Sequence, residues 1–398
     1  MAYKKKRNIL LFIAILVTIL LTPIESVSIG GDESNFSVVR LSVLFVFAIW
    51  VVSGLHFNIS KLIRSYITIF LFFAVTLLFS INIGHSLNRL FLMLLPTIIL
   101  CSIIDYYVDN RERLIWILFA YTFGTIILSV FAYYNRAEIL MNAVNEYNER
   151  VSALGHDENE MSYMLVLGVT CCLHLLSISK YKFLKAFFIL CIIVFSFFTI
   201  STASRTGMVI LFFVFTIYAM GSLKSIKTGA GVVLLGTLLV VASGYFISFI
   251  PESTIERLFE TRELVSSGDM SGRGSIWQVG INAFIDGNFL TGAGYDNFMN
   301  RYAEYAGERG RAAHNTYLSF LVCGGLIGFV LFMVLIVQIW KECVKVYRLS
   351  GSLLVFAYYI PLLITMFTLD VTERRWLYII GVLIYKWRQI LVSNNVTR

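Results

Sequence analysis

The chain has 398 residues, 58% of them hydrophobic and 14% charged, and a mean hydropathy of +0.79. Soluble domains carry roughly a quarter charged residues, so this composition excludes a water-soluble core and predicts an all-α polytopic membrane protein. The net charge of +8 and the pI near 9.1 arise in segments expected to face anionic headgroups, which makes membrane lipids rather than nucleic acid the partner of that charge.

The chain opens on a basic stretch, Lys4, Lys5, Lys6 and Arg7, followed by an apolar run to Thr22. Pro23, Ile24 and Glu25 stand where a cleavable leader has its small-x-small site, so this run is expected to persist as a first span. Hydropathy places twelve spans near 8–22, 38–55, 66–83, 87–104, 114–133, 163–178, 184–200, 206–220, 230–250, 317–340, 353–369 and 376–392. Most approach the ~20 residues that cross a bilayer core.

The predicted organisation is spans one to five in 1–133, an extracytoplasmic loop in 134–161, spans six to nine in 162–250, a long extracytoplasmic loop in 251–313 and spans ten to twelve in 314–398. The even count puts both termini in the cytoplasm. On this threading the inner segments carry all 12 lysines, with 19 Lys+Arg against 4 Asp+Glu, a net +15. The outer segments carry 13 arginines, no lysine and 20 Asp+Glu, a net −7, as the positive-inside rule requires. None of the six cysteines falls in an outer loop, so no disulfide framework is expected.

Loops as long as 251–313 usually carry function. Within it Trp277, Ile281, Phe284 and Ile285 recur at helical spacing after Gly272-Arg273-Gly274, the pattern of a short amphipathic helix lying along the interface and anchoring the loop.

Four residues stand out at the outer face. Arg150 lies in Glu149-Arg150-Val151 before span six, and Arg205 follows the hydroxyl-rich Ser201-Thr202-Ala203-Ser204 and opens span eight. Arg273 sits in Ser271-Gly272-Arg273-Gly274, and His314 begins span ten in Ala313-His314-Asn315-Thr316. Two or three guanidinium forks at one face form a site for a phosphorylated group. Span starts add amide N–H groups and the positive end of a helix dipole, a field that favours a neutral imidazole at His314, able to accept a proton near pH 7.

Each residue also has a plainer reading. An interfacial arginine is commonly an anchor or a salt-bridge partner, and His314 alone could be a helix-end hydrogen-bonding residue. His156 reads as a loop residue, and His56, His85 and His174 show no ligand spacing. Asp370, Glu373, Arg374 and Arg375 read as a solvated turn, and Gly324-x-x-x-Gly328 as close helix packing. No metal-binding or nucleotide-loop motif is present in the sequence, so neither a metal nor another cofactor is implied.

The residues resemble the O-antigen ligase and polymerase-like integral membrane glycosyltransferases. The resemblance rests on Arg150 through Asn159, Ser204-Arg205, Gly272-Arg273-x-x-x-Trp277, Leu290-Thr291-Gly292-Ala293-Gly294-Tyr295-Asp296-Asn297-Phe298, His314-Asn315-x-Tyr317-Leu318 and Gly324-Gly325-Leu326-Ile327-Gly328, in that order. It implies a GT-C-like fold in the bacterial inner membrane, and transfer of a glycan from undecaprenyl diphosphate to an acceptor sugar hydroxyl at the extracytoplasmic face, without metal and with inversion. Carried onto this chain, Arg205 and Arg273 become diphosphate ligands and His314 the base, with Arg150, Asn159 and Asn315 as further substrate-binding residues. Expected partners are the lipid-linked oligosaccharide donor and a glycan acceptor, with a flippase and a chain-length regulator as further candidates.

The glycines that ligases keep seven residues after the histidine and four after the arginine are replaced here by Leu321 and Val209. That departure favours a polymerase of repeat units over the alternative, ligation of a finished chain to lipid A core or another acceptor. A flippase or exporter is the non-enzymatic alternative, but transporters place charge deep within spans and here it gathers at one face.

Overall fold

The structure, a computed structural model, describes residues 8–25, 37–142, 157–222 and 273–396. Among these residues it is all-helical, with no strand. Side-chain caps set many of the helix starts. Asn8 accepts the Leu10 N–H at 2.9 Å to begin α1 (Ile9–Leu21), Ser37 caps α2 (Val38–Val52) and Ser60 caps α3 (Lys61–Thr76). Asn82 caps α4 (Ile83–Arg89), which passes through a wide π turn at Leu90–Leu94 into α5 (Leu95–Tyr107). Pro96 explains the widening, since it lacks an N–H and its ring displaces the carbonyl four residues earlier.

Then follow α6 (Arg111–Asn142), α7 (Glu158–Ile178), α8 (Lys182–Ser201), α9 (Arg205–Ser222), α10 (Arg273–Ile285), α11 (Phe298–Ala306), α12 (Thr316–Ser350), α13 (Leu354–Thr365) and α14 (Arg375–Val396). Among the described residues, seven helical stretches are long and apolar enough to cross a membrane: Lys61–Phe79, Ile83–Tyr107, Arg111–Tyr134, Glu158–Ile178, Lys182–Ser201, Arg205–Ser222 and Thr316–Ser350. Ile9–Ile24, Val38–Val52 and Leu354–Thr365 are shorter apolar helices. The expected span at 230–250 lies outside the described residues. The segment predicted as a loop over 134–161 is partly helix, because α6 continues to Asn142 and α7 starts at Glu158.

Helix α7 is at the centre. Sixteen of its 21 residues are buried, the signature of a helix that is apolar all round and packed on every side. Its approach to α6 is close enough that a methyl group on Gly168 would lie 2.5 Å from the Thr125 side chain.

Helix α12 breaks at Gly325, whose φ of 60° and ψ of −164° only glycine adopts readily. A broken helix survives in a membrane only where its freed backbone groups meet other protein, and here the strap between α10 and α11 supplies them. The Ala293 and Gly294 N–H groups donate to the Val322 and Cys323 carbonyls, each at 2.9 Å, while the Leu326 and Ile327 N–H groups donate to the Phe289 and Leu290 carbonyls at 2.9 and 3.2 Å. A side chain on Gly292 would start 2.4 Å from the Gly325 nitrogen. The two glycine motifs quoted above are therefore the two halves of one contact.

The strap is also held from α4 and the turn before it, where Asn297 Nδ2 donates to the Ser86 and Ser80 hydroxyls at 2.8 and 2.7 Å. Gly324 and Gly328 pack on Phe73 and Phe72 of α3, the packing role predicted for them. A short helix does follow Gly272, as α10, but its apolar residues are spread around it rather than gathered on one face, and it joins α11 and the start of α12 in a separate small core around Ile276, Phe298, Tyr302 and Leu318. Its Ile281 and Ile285 are exposed.

Candidate active site

Four helix starts and one turn are tied together at a single end of the bundle. The Asp157 side chain accepts the Asn159 N–H at 2.8 Å and begins α7. The Ser204 hydroxyl accepts the Gly207 N–H at 3.0 Å, capping α9 at Arg205, and donates to Asn159 Oδ1 at 2.8 Å. A side chain on Gly207 would meet Ser162 of α7 at 2.6 Å, so only glycine lets these two starts sit so close.

On the other side of α7, Glu160 Oε2 pairs with Arg374 Nη2 at 2.8 Å. Arg374 lies in the turn between α13 and α14, and that turn holds the start of α12. Thr316 donates its N–H to the Met366 carbonyl at 2.8 Å and its hydroxyl to the Leu369 carbonyl at 2.7 Å, and accepts the Val371 N–H at 3.0 Å. Asn315 Oδ1 caps α12 by accepting the Leu318 N–H at 3.1 Å. From α10, the Trp277 indole N–H donates to the Ala313 carbonyl at 3.0 Å.

His314 sits between these last contacts, half-buried, with a left-handed φ of 45° that is uncommon outside glycine. Its pKa is held below the ordinary imidazole value, by burial first and by the Arg273 charge second, while Asp157 and Asp370 pull it back up. The direction agrees with the sequence expectation, although burial rather than the helix end is the largest cause. Burial also raises the Asp370 carboxyl, against hydrogen bonds from Ser319 and Thr372 that lower it. A half-buried imidazole held toward its neutral form within the field of a guanidinium can take a proton from a hydroxyl while the cation holds an anion.

The structure thus places Arg273 where its charge acts on His314, one helical turn from the Trp277 that bonds the Ala313 carbonyl, and bonds Asn159 to Ser204, the residue before Arg205. The bond from Ser204 to Asn159 and the cap role of Asn315 have a cost for their expected binding roles, because the carbonyl oxygen of each amide is already bonded within the protein. Arg150 lies outside the described residues, as does His156.

The turn read from sequence as solvated is instead paired within the protein, with Arg375 buried and Asp370, Glu373 and Arg374 half-buried, and this corrects that expectation. Arg375 is 2% exposed and pairs with Glu25 of the turn after α1. Glu373 pairs with Arg89 at 3.2 Å, Arg89 with Asp296 at 3.4 Å, and Asp296 with His85 at 2.9 Å. Burial and the Asp296 charge push the Glu373 carboxyl up to about 8. Sequence reasoning missed this network. Its trace was a run of charged residues between two apolar spans in a chain poor in charge, where each buried charge needs a partner.

No curated protein matches the chain in sequence. Residues 189–333 match the model of a family described as O-antigen ligase. The matched stretch starts in α8, takes in Arg205, Arg273 and His314, and ends in α12 beyond the Gly325 break, and it supports the O-antigen ligase and polymerase-like family that the motifs resemble.

Proposed function

We propose that the protein is a membrane glycosyltransferase that polymerises lipid-linked oligosaccharide repeat units of a surface polysaccharide at the extracytoplasmic face. What supports this reading is the placement of His314 at the start of α12, with its Ala313 carbonyl bonded to Trp277 one turn from Arg273 and with burial and the Arg273 charge holding the imidazole below its ordinary pKa. An acceptor sugar hydroxyl gives its proton to His314 as its oxygen attacks the anomeric carbon of the donor. The bond from that carbon to the diphosphate breaks on the opposite side, so the configuration inverts. The negative charge that builds on the departing polyprenyl diphosphate is met by Arg205 and Arg273 together with the amide groups of the helix starts, and no metal takes part. The proton then leaves the imidazole for solvent.

The departing diphosphate presents paired oxygens, which a guanidinium fork meets with two N–H groups and an ammonium with one. Arg205→Lys and Arg273→Lys are therefore expected each to lose most transfer activity at matched protein levels in membranes, with weaker donor binding. Near-normal rates in both lysine variants would reduce the arginines to anchors. A second reading, ligation of a finished glycan to a separate acceptor, is favoured by the description of the matching family. It is opposed by Leu321 and Val209, which stand where ligases keep glycine.

A further inference from the structure

The His314 ring is half-buried, and its backbone is gripped from both sides while the ring itself is not. Among the described residues no hydrogen bond reaches the imidazole, whereas the carbonyl before it and the residue two positions after it are both fixed. The Trp277 indole holds the Ala313 carbonyl at 3.0 Å. Thr316 is clamped to the turn after α13 by three hydrogen bonds, two of them through its hydroxyl. Between the two grips the chain takes the left-handed turn at His314 (φ 45°) that a non-glycine residue keeps only when its surroundings enforce it.

Trp277 is also one helical turn from Arg273, on the same helix α10. Residues four apart lie on one face of a helix, so one rigid element carries the cation and the hydrogen bond that fixes the base. Helix α10 in turn rests on the start of α12 through Ile276 and Leu318.

We infer that Trp277 and Thr316 are positioning residues, which set the His314 imidazole relative to Arg273 through the main chain. The inference rests on the glycosyltransferase reading above. It gives Trp277 a role beyond anchoring a loop to the interface, because the atom that matters is the indole N–H rather than the ring.

The test is a cycle of variants in proteoliposomes supplied with lipid-linked repeat units. Trp277→Phe keeps an aromatic ring and removes the N–H. A reactive group displaced by about 1 Å costs up to about 100-fold in rate, so kcat is expected to fall about 10-fold to 100-fold with the donor KM within about twofold of wild type. In a His314→Ala background the same change is expected to leave the residual rate within about twofold, because a positioning residue has nothing left to position. Thr316→Val, made in both backgrounds, repeats the cycle from the other grip and stands in if Trp277→Phe does not accumulate in membranes.

An equal loss in both backgrounds, or a raised donor KM with kcat retained, would overturn the inference and leave Trp277 as an anchor of α10. Wild-type turnover by His314→Ala alone would remove the base itself, a distinct failure that defeats the functional reading along with this one.

Discussion

Replacing Gly325 by alanine tests whether the strap and the broken helix hold the site together. The new methyl carbon would sit 2.5 Å from the Leu290 carbonyl carbon and oxygen and 2.6 Å from the Thr291 nitrogen, all of them backbone atoms that cannot swing aside. Alanine at this φ and ψ costs about 1–3 kcal/mol, and overpacking adds about 1–3 kcal/mol. Gly307 is the control. It also has a positive φ, 68°, but nothing lies within 4 Å of where its methyl would go, so Gly307→Ala incurs the conformational cost of about 1–2 kcal/mol alone. The excess at Gly325 is the cost of pushing the strap away from α12, and about 1.4 kcal/mol of it is a tenfold rise in the open population.

Hydrogen exchange reads that opening at the Ala293 and Gly294 amides, which donate to Val322 and Cys323 across the contact. Gly325→Ala is expected to speed exchange there about 10-fold to 100-fold and to lower transfer. Gly307→Ala should leave both amides near wild-type protection. Equal protection in the two variants would show that the close approach at Gly325 does not hold the strap, and the account of the two glycine motifs would fall.

Burial and Arg273 hold the His314 pKa below its ordinary value of about 6.5, so the base form persists as pH falls and the acid limb of kcat/KM lies below that value. Asp370→Asn removes a carboxylate that raises this pKa and should move the limb lower still, and a limb that moved upward would refute the assignment. Single cysteines at Ser267 and Ser225 in a cysteine-free background should differ on intact cells, with a membrane-impermeant thiol reagent labelling the first and not the second. Labelling of Ser225 alone would reverse the orientation drawn from the lysine distribution.

Hydropathy alone found the long apolar helices, because a span advertises itself in every residue it contains. The same threading assigns His314 and Arg205, which each begin a span, and Arg273, which lies in the long loop 251–313, to one face. What depended on contacts distant in sequence was hidden. The break at Gly325 looks from sequence like part of a packing motif, because the amides that repair it come from residues more than 30 positions away. The pairing of Glu373 with Arg89 joins residues 284 positions apart, and local composition alone made that turn resemble a solvated one. The extra turns of α6 to Asn142 lie past the end of its apolar run, where hydropathy no longer marks a helix. Asn159 and Asn315 were legible as polar residues at the starts of spans, but not as residues whose carbonyl oxygens are already committed to Ser204 and to the Leu318 N–H.

The most direct test supplies purified protein in liposomes with lipid-linked repeat units alone, in the presence of EDTA. Wild type is expected to build a ladder of lengthening products, and His314→Ala to bind the donor but lose about 10²–10⁴-fold in transfer, as a missing general base predicts. Transfer only of a preformed chain to a separate acceptor would make the protein a ligase, and movement of lipid across the bilayer without new glycosidic bonds would make it a transporter. A full ladder from the His314 variant, or a wild-type ladder abolished by EDTA and restored by magnesium, would contradict the metal-free mechanism with His314 as its base.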